Sequence, residues 1–189
     1  MLKKWLAGIL LIMLAGYTGW NLYQTYSKKE VGIQEGKQAP DFSLKTLSGE
    51  KSSLQDAKGK KVLLNFWATW CKPCRQEMPA MEKLQKEYAD KLAVVAVNFT
   101  SAEKSEKQVR AFADTYDLTF PILIDKKGIN ADYNVMSYPT TYILDEKGVI
   151  QDIHVGTMTK KKWNKNWILI RFSFFLCSDM LTSFQNWKK

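Results

Sequence analysis

Three observations place this 189-residue chain in the α/β class. Apolar strand-like runs alternate with amphipathic helix-like runs, the alternation closes in a hairpin pattern, and a polar linker sets this body apart from a strongly apolar N-terminal segment. With 46% apolar residues the chain can build one core, and its length suits one globular domain with an appendage. No internal repeat or low-complexity segment interrupts it.

The opening "MLKKWLAGILLIMLAGYTGWNLYQTYSKKE" carries Lys3 and Lys4, then runs apolar from Trp5 to Trp20. That run is a little short of the roughly 20 residues of a spanning helix, and Tyr23 and Tyr26 extend it. Tyr17, Trp20, Tyr23 and Tyr26 recur every third residue, as an interfacial aromatic belt does. The segment reads as a cleaved signal peptide or an uncleaved anchor. No cysteine follows Leu14-Ala15-Gly16, which excludes a lipoprotein anchor at that point, and large aromatics after Ala15 make a poor cleavage region. The expectation is one transmembrane helix over 1–26, with the two lysines cytoplasmic and the domain outside. A buried soluble helix is the alternative, but the segment lacks a polar face.

A linker covers 27–35 and a globular domain 36–158. "DFSLKTLSGEKSSL" predicts a small hairpin turning at Ser48-Gly49. "KKVLLNFWA" predicts a buried strand entered from the turn Lys58-Gly59-Lys60. From Cys74 to Tyr88, the spacing of Met78, Met81, Leu84 and Tyr88 predicts an amphipathic helix, kinked at Pro79. "KLAVVAVNF" is a second buried strand, followed by a helix with Ser101 as candidate cap. "LTFPILID" is a third strand, "INADYNV" a helical turn, and "TTYILDEKGVIQDIHVG" a hairpin around Glu146-Lys147-Gly148.

The net charge of +9 comes from 28 Lys and Arg against 19 Asp and Glu. Residues 157–189 hold seven of those bases and a single acid, Asp179, so the domain itself is only mildly basic and a nucleic-acid role is not expected. The three cysteines are Cys71, Cys74 and Cys177, and the single histidine is His154. One close pair is no disulfide framework, and these four scattered residues make no zinc site. His154 reads as a surface residue of the last strand.

"NFWATWCKPCRQEMP" carries the chemistry. Cys71 follows a buried strand and opens a helix, where unpaired N–H groups and the helix dipole favour a thiolate. Cys74, one turn on, can attack a mixed disulfide formed at Cys71. Pro73 suits the first helical turn because its missing N–H costs nothing there, and Lys72 adds a positive charge beside Cys71. A structural disulfide or two idle thiols is the alternative. The C-x-x-C position between strand and helix favours redox chemistry. Trp70 is expected to cover the groove beside Cys71, whereas Trp67 reads as core. Pro139 is, from the residues alone, either a strand-start proline or a site feature.

That stretch resembles the active-site region of the thioredoxin superfamily, and most of all the ResA/TlpA-like extracytoplasmic thiol-disulfide oxidoreductases, those anchored in Gram-positive bacilli in particular. "GKQAPDFSLKTLSGE" resembles the family's N-terminal hairpin and "YPTT" the loop with a cis-proline opposite the cysteine pair. The resemblance spans about 32–158. It implies a thioredoxin-like fold with an N-terminal β-hairpin extension, preceded by a membrane helix. Pro139 would be the cis-proline, with Tyr138 and Thr140 flanking the groove for a substrate cysteine. Asn65 stands where cytosolic thioredoxins carry a buried Asp, and an amide cannot replace that acid. Glu77 matches a family glutamate and is expected to handle protons or substrate, a solvated helix glutamate being the alternative. The family's second acid, after the strand "VVAVN", has no aligned match; Asn98-Phe99-Thr100-Ser101 lies there, with Glu103 slightly later.

The implied function is reduction of disulfides in selected exported proteins, such as apocytochrome c or spore-envelope proteins. Electrons would come from a membrane thiol reductase. No cofactor is implied, since the cysteines carry the two electrons. The opposite direction, thiol oxidation as in DsbA, is an alternative, although Lys-Pro is not the dipeptide of strong oxidants. Peroxiredoxins share an opening like Ala39-Pro40-Asp41-Phe42, but they need a proline and a Thr or Ser upstream of their cysteine, where Leu64 and Ala68 stand here. A non-catalytic binding module has little reason to keep both cysteines. After "VGTMT" the resemblance ends. A covering amphipathic helix is expected, yet "KKKWNKNWILIRFSFFLCSDMLTSFQNWKK" shows no clean helical stripe. Three successive lysine codons are prone to slippage, so a frameshift after about Thr159 is the expectation and a membrane-contacting tail the alternative. Cys177 receives no role.

Overall fold

The computed structural model describes residues 5, 10, 12–20 and 30–158. Residues 12–20 are helical and exposed, but no helix among the described residues is long and apolar enough to cross a membrane. Tyr23, Tyr26, the tail from 159 onward and Cys177 lie outside the described residues.

The body is a seven-stranded sheet built from β1 (Ser43–Thr46), β2 (Lys51–Ser53), β3 (Lys61–Trp67), β4 (Leu92–Asn98), β5 (Ile122–Ile124), β6 (Thr140–Leu144) and β7 (Ile150–Val155). Its spatial order is β2-β1-β5-β4-β3-β6-β7. The central strands β3, β4 and β5 are parallel, and the flanking pairs are antiparallel. Helix α1 (Lys72–Glu87) connects β3 to β4, α2 (Glu106–Thr115) leads from β4 to β5, and the short α3 (Ile129–Asp132) precedes β6. This is a thioredoxin-like α/β architecture whose N-terminal hairpin widens the sheet, β1 pairing with β5 through Lys45–Ile124 and Thr46–Leu123.

Alternation along β3 builds two cores at once. Leu63 and Trp67 face a cluster with Met78, Met81 and Leu84 of α1 and Val109 of α2. Val62, Leu64 and Phe66 face the other cluster, with Phe42, Leu44, Tyr133, Tyr142 and Ile150. A strand covered on both faces must be apolar at nearly every position, which is why "VLLNFW" reads as one continuous run. Its single polar member, Asn65, is fully buried.

Hairpin turns fall where the sequence places them. Gly148 closes the β6–β7 turn at φ 77°, a backbone conformation that favours glycine, and a Cβ there would also displace the Gln38 amide, 2.7 Å away. Helix α1 runs through Pro79 without interruption. Two details differ from expectation. Ser101 is not the cap of α2: residues 100–102 form a 3-10 turn, and Ser105 Oγ accepts the Gln108 N–H at 3.2 Å. Capping needs an extended residue just before the first helical turn, and Ser105, at φ −168°, meets that condition. The third strand is only three residues long: Pro121 before it has no N–H to give, and after it Asp125 keeps its N–H on Asn98 O while its side chain turns to the next loop.

Candidate active site

The parallel strands end at Trp67, Asn98 and Ile124 on one edge of the sheet, the edge where open α/β sheets bind ligands. The chain leaves β3 through Ala68-Thr69-Trp70 and enters α1 at Cys71, the N-cap. Cys71 Sγ accepts the Cys74 N–H at 3.2 Å, the role a Ser or Asp side chain plays in ordinary caps. The two sulfurs form a disulfide with Cα atoms 5.3 Å apart. Cys71 is 5% exposed and Cys74 fully buried, so only the first is placed to meet a partner. Pro73 occupies the first turn as expected, and Lys72 is exposed beside it.

Glu77 lies one turn beyond Cys74 on the same inward face and is 1% exposed. The solvated-helix alternative for it therefore fails. Its Oε1 accepts from Asn65 Nδ2 at 2.9 Å and its Oε2 from the Met158 N–H at 3.3 Å. Burial pushes its carboxyl up to about 7, against the opposing effect of the bonds from Asn65 and Met158. Asn65 Nδ2 also donates to Thr141 Oγ1 at 2.9 Å. The amide thus does not substitute for a strand acid. It holds a helix carboxyl that takes the buried position instead.

Glu103, the acid that follows Asn98-Phe99-Thr100-Ser101, reaches back toward the site. Its Oε1 accepts from the Thr69 N–H at 2.6 Å and from Asn98 Nδ2 at 2.9 Å, and its Oε2 accepts from Thr69 Oγ1. The 3-10 turn folds this carboxylate back onto the loop just before Cys71. No local pattern marks this contact, because it forms between Glu103 and a loop 34 residues earlier in the chain.

On the far side of the edge, Tyr138–Pro139 is cis, and Pro139 is buried. Since Thr140 pairs with Phe66, Pro139 lies level with the end of β3. The Tyr138 ring stacks on Phe99 with centroids 5.4 Å apart and meets Trp70 edge-on at 5.9 Å. Trp70 remains 54% exposed. The structure thus brings Trp70 and Tyr138 together, whereas Thr140 is 4% exposed and donates its hydroxyl to Ser137 O at 2.7 Å, turned into the loop. Trp67 is core, packed on Phe112. His154 is half-buried on β7. No group of three or more candidate metal ligands occurs among the described residues.

A disulfide between the N-cap and the third residue of a helix, at the ligand-binding edge of a thioredoxin-like sheet, defines a thiol-disulfide oxidoreductase. The chain belongs to the AhpC/TSA family, whose profile matches residues 35–153, and within the thioredoxin superfamily to the ResA-like thiol-disulfide oxidoreductases. It is 98% identical over 162 residues to the thioredoxin-like protein YneN of Bacillus subtilis (strain 168), covering 86% of this chain and 95% of that protein. It is 44% identical to the thiol-disulfide oxidoreductase ResA of Bacillus cereus over 82% of this chain and 88% of that one. Among solved structures, StoA from Bacillus subtilis superposes with a TM-score of 0.58 at 35% identity, over 66% of this chain and 93% of StoA.

Proposed function

We propose that this chain is a membrane-held, extracytoplasmic thiol-disulfide oxidoreductase that reduces disulfides in selected exported proteins. The observation that carries this reading is the Cys71–Cys74 disulfide at the N-terminus of α1, with Cys71 at the cap and Cys74 buried behind it. Cys71 and Cys74 are its catalytic pair. In the reduced protein the Cys74 N–H and the helix dipole hold Cys71 as a thiolate. That thiolate attacks a substrate disulfide, forming a Cys71–substrate bond and expelling one substrate thiolate. Cys74 loses its proton and attacks Cys71 Sγ; the mixed disulfide breaks, the second substrate thiol leaves, and the protein is left oxidised. A membrane thiol reductase restores the dithiol with two electrons and two protons.

Glu77 is the proton-handling group in this scheme, buried one turn from Cys74 and poised near neutrality. Trp70, Tyr138 and Pro139 form the substrate groove, with Lys72 and Pro73 at its rim and Thr140 shaping the loop. The N-terminal lysines, the apolar run from Trp5 to Trp20 and its aromatic spacing support a single-pass anchor over residues 1–26. The ResA likeness supports apocytochrome c or spore-envelope proteins as substrate classes. A thiol peroxidase is disfavoured despite the family profile, because Leu64 and Ala68 stand where a peroxidatic site needs other residues.

The reduction potential of the Cys71–Cys74 pair in the full chain tests the direction. A value near the roughly −270 mV of thioredoxin fits a reductase, whereas one near the roughly −120 mV of DsbA would reassign the protein as a disulfide donor.

A further inference from the structure

We propose that Asn130, held by Asp125, is a positioning residue that sets Tyr138 against Trp70 and thereby governs binding of the peptide around a substrate cysteine. This rests on the groove reading given above. Asp125, at the end of β5, is 2% exposed. One of its oxygens accepts the N–H groups of Lys127, Gly128 and Ile129 at 3.0, 2.8 and 3.1 Å. The other accepts Asn130 N at 2.9 Å and Asn130 Nδ2 at 2.6 Å. A carboxylate with five donors has no capacity left for a ligand. Its effect is on Asn130: with Nδ2 drawn to Asp125, the amide oxygen must point the other way.

That oxygen accepts the Tyr138 hydroxyl at 2.9 Å. Tyr138 precedes the cis proline, and its ring is the contact shared by Phe99 and Trp70. Trp70 in turn precedes Cys71. A run of directional contacts therefore reaches from the end of β5 to the residue beside the nucleophile. Tyr138 is half-buried, and its ring already packs against Phe99 and Trp70. What the bond supplies is one fixed orientation of the ring. The same loop carries Met136, 87% exposed, so an unpinned Tyr138 would leave an adaptable apolar surface where a preformed groove now stands.

The test compares two probes on the reduced full-length protein. One is a synthetic hexapeptide whose single cysteine is a mixed disulfide with thionitrobenzoate; the other is dithiobis(nitrobenzoate), which has no peptide. In both, the Cys71 thiolate forms a new S–S bond and thionitrobenzoate leaves as the coloured thiolate. Asn130→Ala is expected to raise the KM for the peptide about fivefold, the worth of one neutral hydrogen bond, and to leave the small probe's rate unchanged. Tyr138→Phe should raise the peptide KM by a similar factor, and the double variant by no more than either alone. If Asn130→Ala does not fold, Tyr138→Phe decides, because it deletes the hydroxyl and keeps the ring. Equal losses on both probes, unchanged peptide KM, or additive effects in the double variant would overturn the proposal. A wild-type protein that attacks the small probe but shows no saturation with the peptide would instead sink the groove reading beneath it.

Discussion

Replacing Glu77 by Gln should flatten the pH dependence of stability between about pH 4.5 and 7. The native carboxyl is raised from 4.5 to about 7 by burial. At about 1.4 kcal/mol per pKa unit, the folded state of the oxidised protein therefore favours the neutral acid by about 3 kcal/mol. The sign follows from proton counting. Below 4.5 both states hold the proton and the stability is fully present. Between 4.5 and 7 the unfolded chain has released its proton while the folded one keeps it, so stability falls as pH rises, and above 7 the loss is complete. The glutamine of the variant has no proton to lose. It can still accept from Asn65 through its carbonyl, but its amide faces the Met158 N–H donor, which costs about 1 kcal/mol at every pH. Urea denaturation of the disulfide-bonded wild type and Glu77→Gln at pH 4.5 and 7.5 measures the difference. With an m-value of about 1–3 kcal/mol/M, the wild-type midpoint should drop by about 1–3 M across that range while the variant moves far less. Parallel slopes in the two proteins would refute the buried-carboxyl account, and with it the proton role assigned to Glu77.

Two further outcomes follow from other carboxylates. Glu82 accepts the Thr119 N–H and hydroxyl at 2.8 and 2.7 Å and pairs with Lys86; burial alone would raise its carboxyl, but these partners hold it below the usual range. Glu82→Ala should cost about 1–3 kcal/mol at pH 7 and progressively less as pH falls below about 4, because a depressed carboxylate stabilises only while ionised; thermal melts at pH 7 and 3 check it. Glu103→Ala frees the Thr69 N–H and Asn98 Nδ2, and should lower stability by about 1–3 kcal/mol and slow exchange at Cys71. An unchanged melting curve would show that water replaces the carboxylate without loss.

The local signals were strong for elements whose own residues decide them. The C-x-x-C pair, the Pro in the first turn of α1 and the Met78-Met81-Leu84 stripe are each set by neighbours within one helical turn. The hairpins at Gly49 and Gly148 are likewise written in their turn residues. Ser101 failed as a cap because two serines compete over a short span: Ser101 falls inside a 3-10 turn, and Ser105 is the extended residue that opens the helix. The cis bond before Pro139 is readable from the likeness of YPTT to a family loop, whereas the pairing of Trp70 with Tyr138 joins segments far apart in the chain, which no local pattern encodes.

By itself, the sequence determined that an apolar, doubly covered strand delivers two cysteines to a helix start, because period and spacing are local properties of a chain. Only the tertiary structure decided what surrounds them. It buried Glu77 against Asn65 and Met158, brought Glu103 to the loop before Cys71, and ran Asp125 and Asn130 out to Tyr138. The physical reason is that a carboxyl's ionisation and a ring's orientation are set by the dielectric and donors around them, and these come from segments brought together only when the sheet forms.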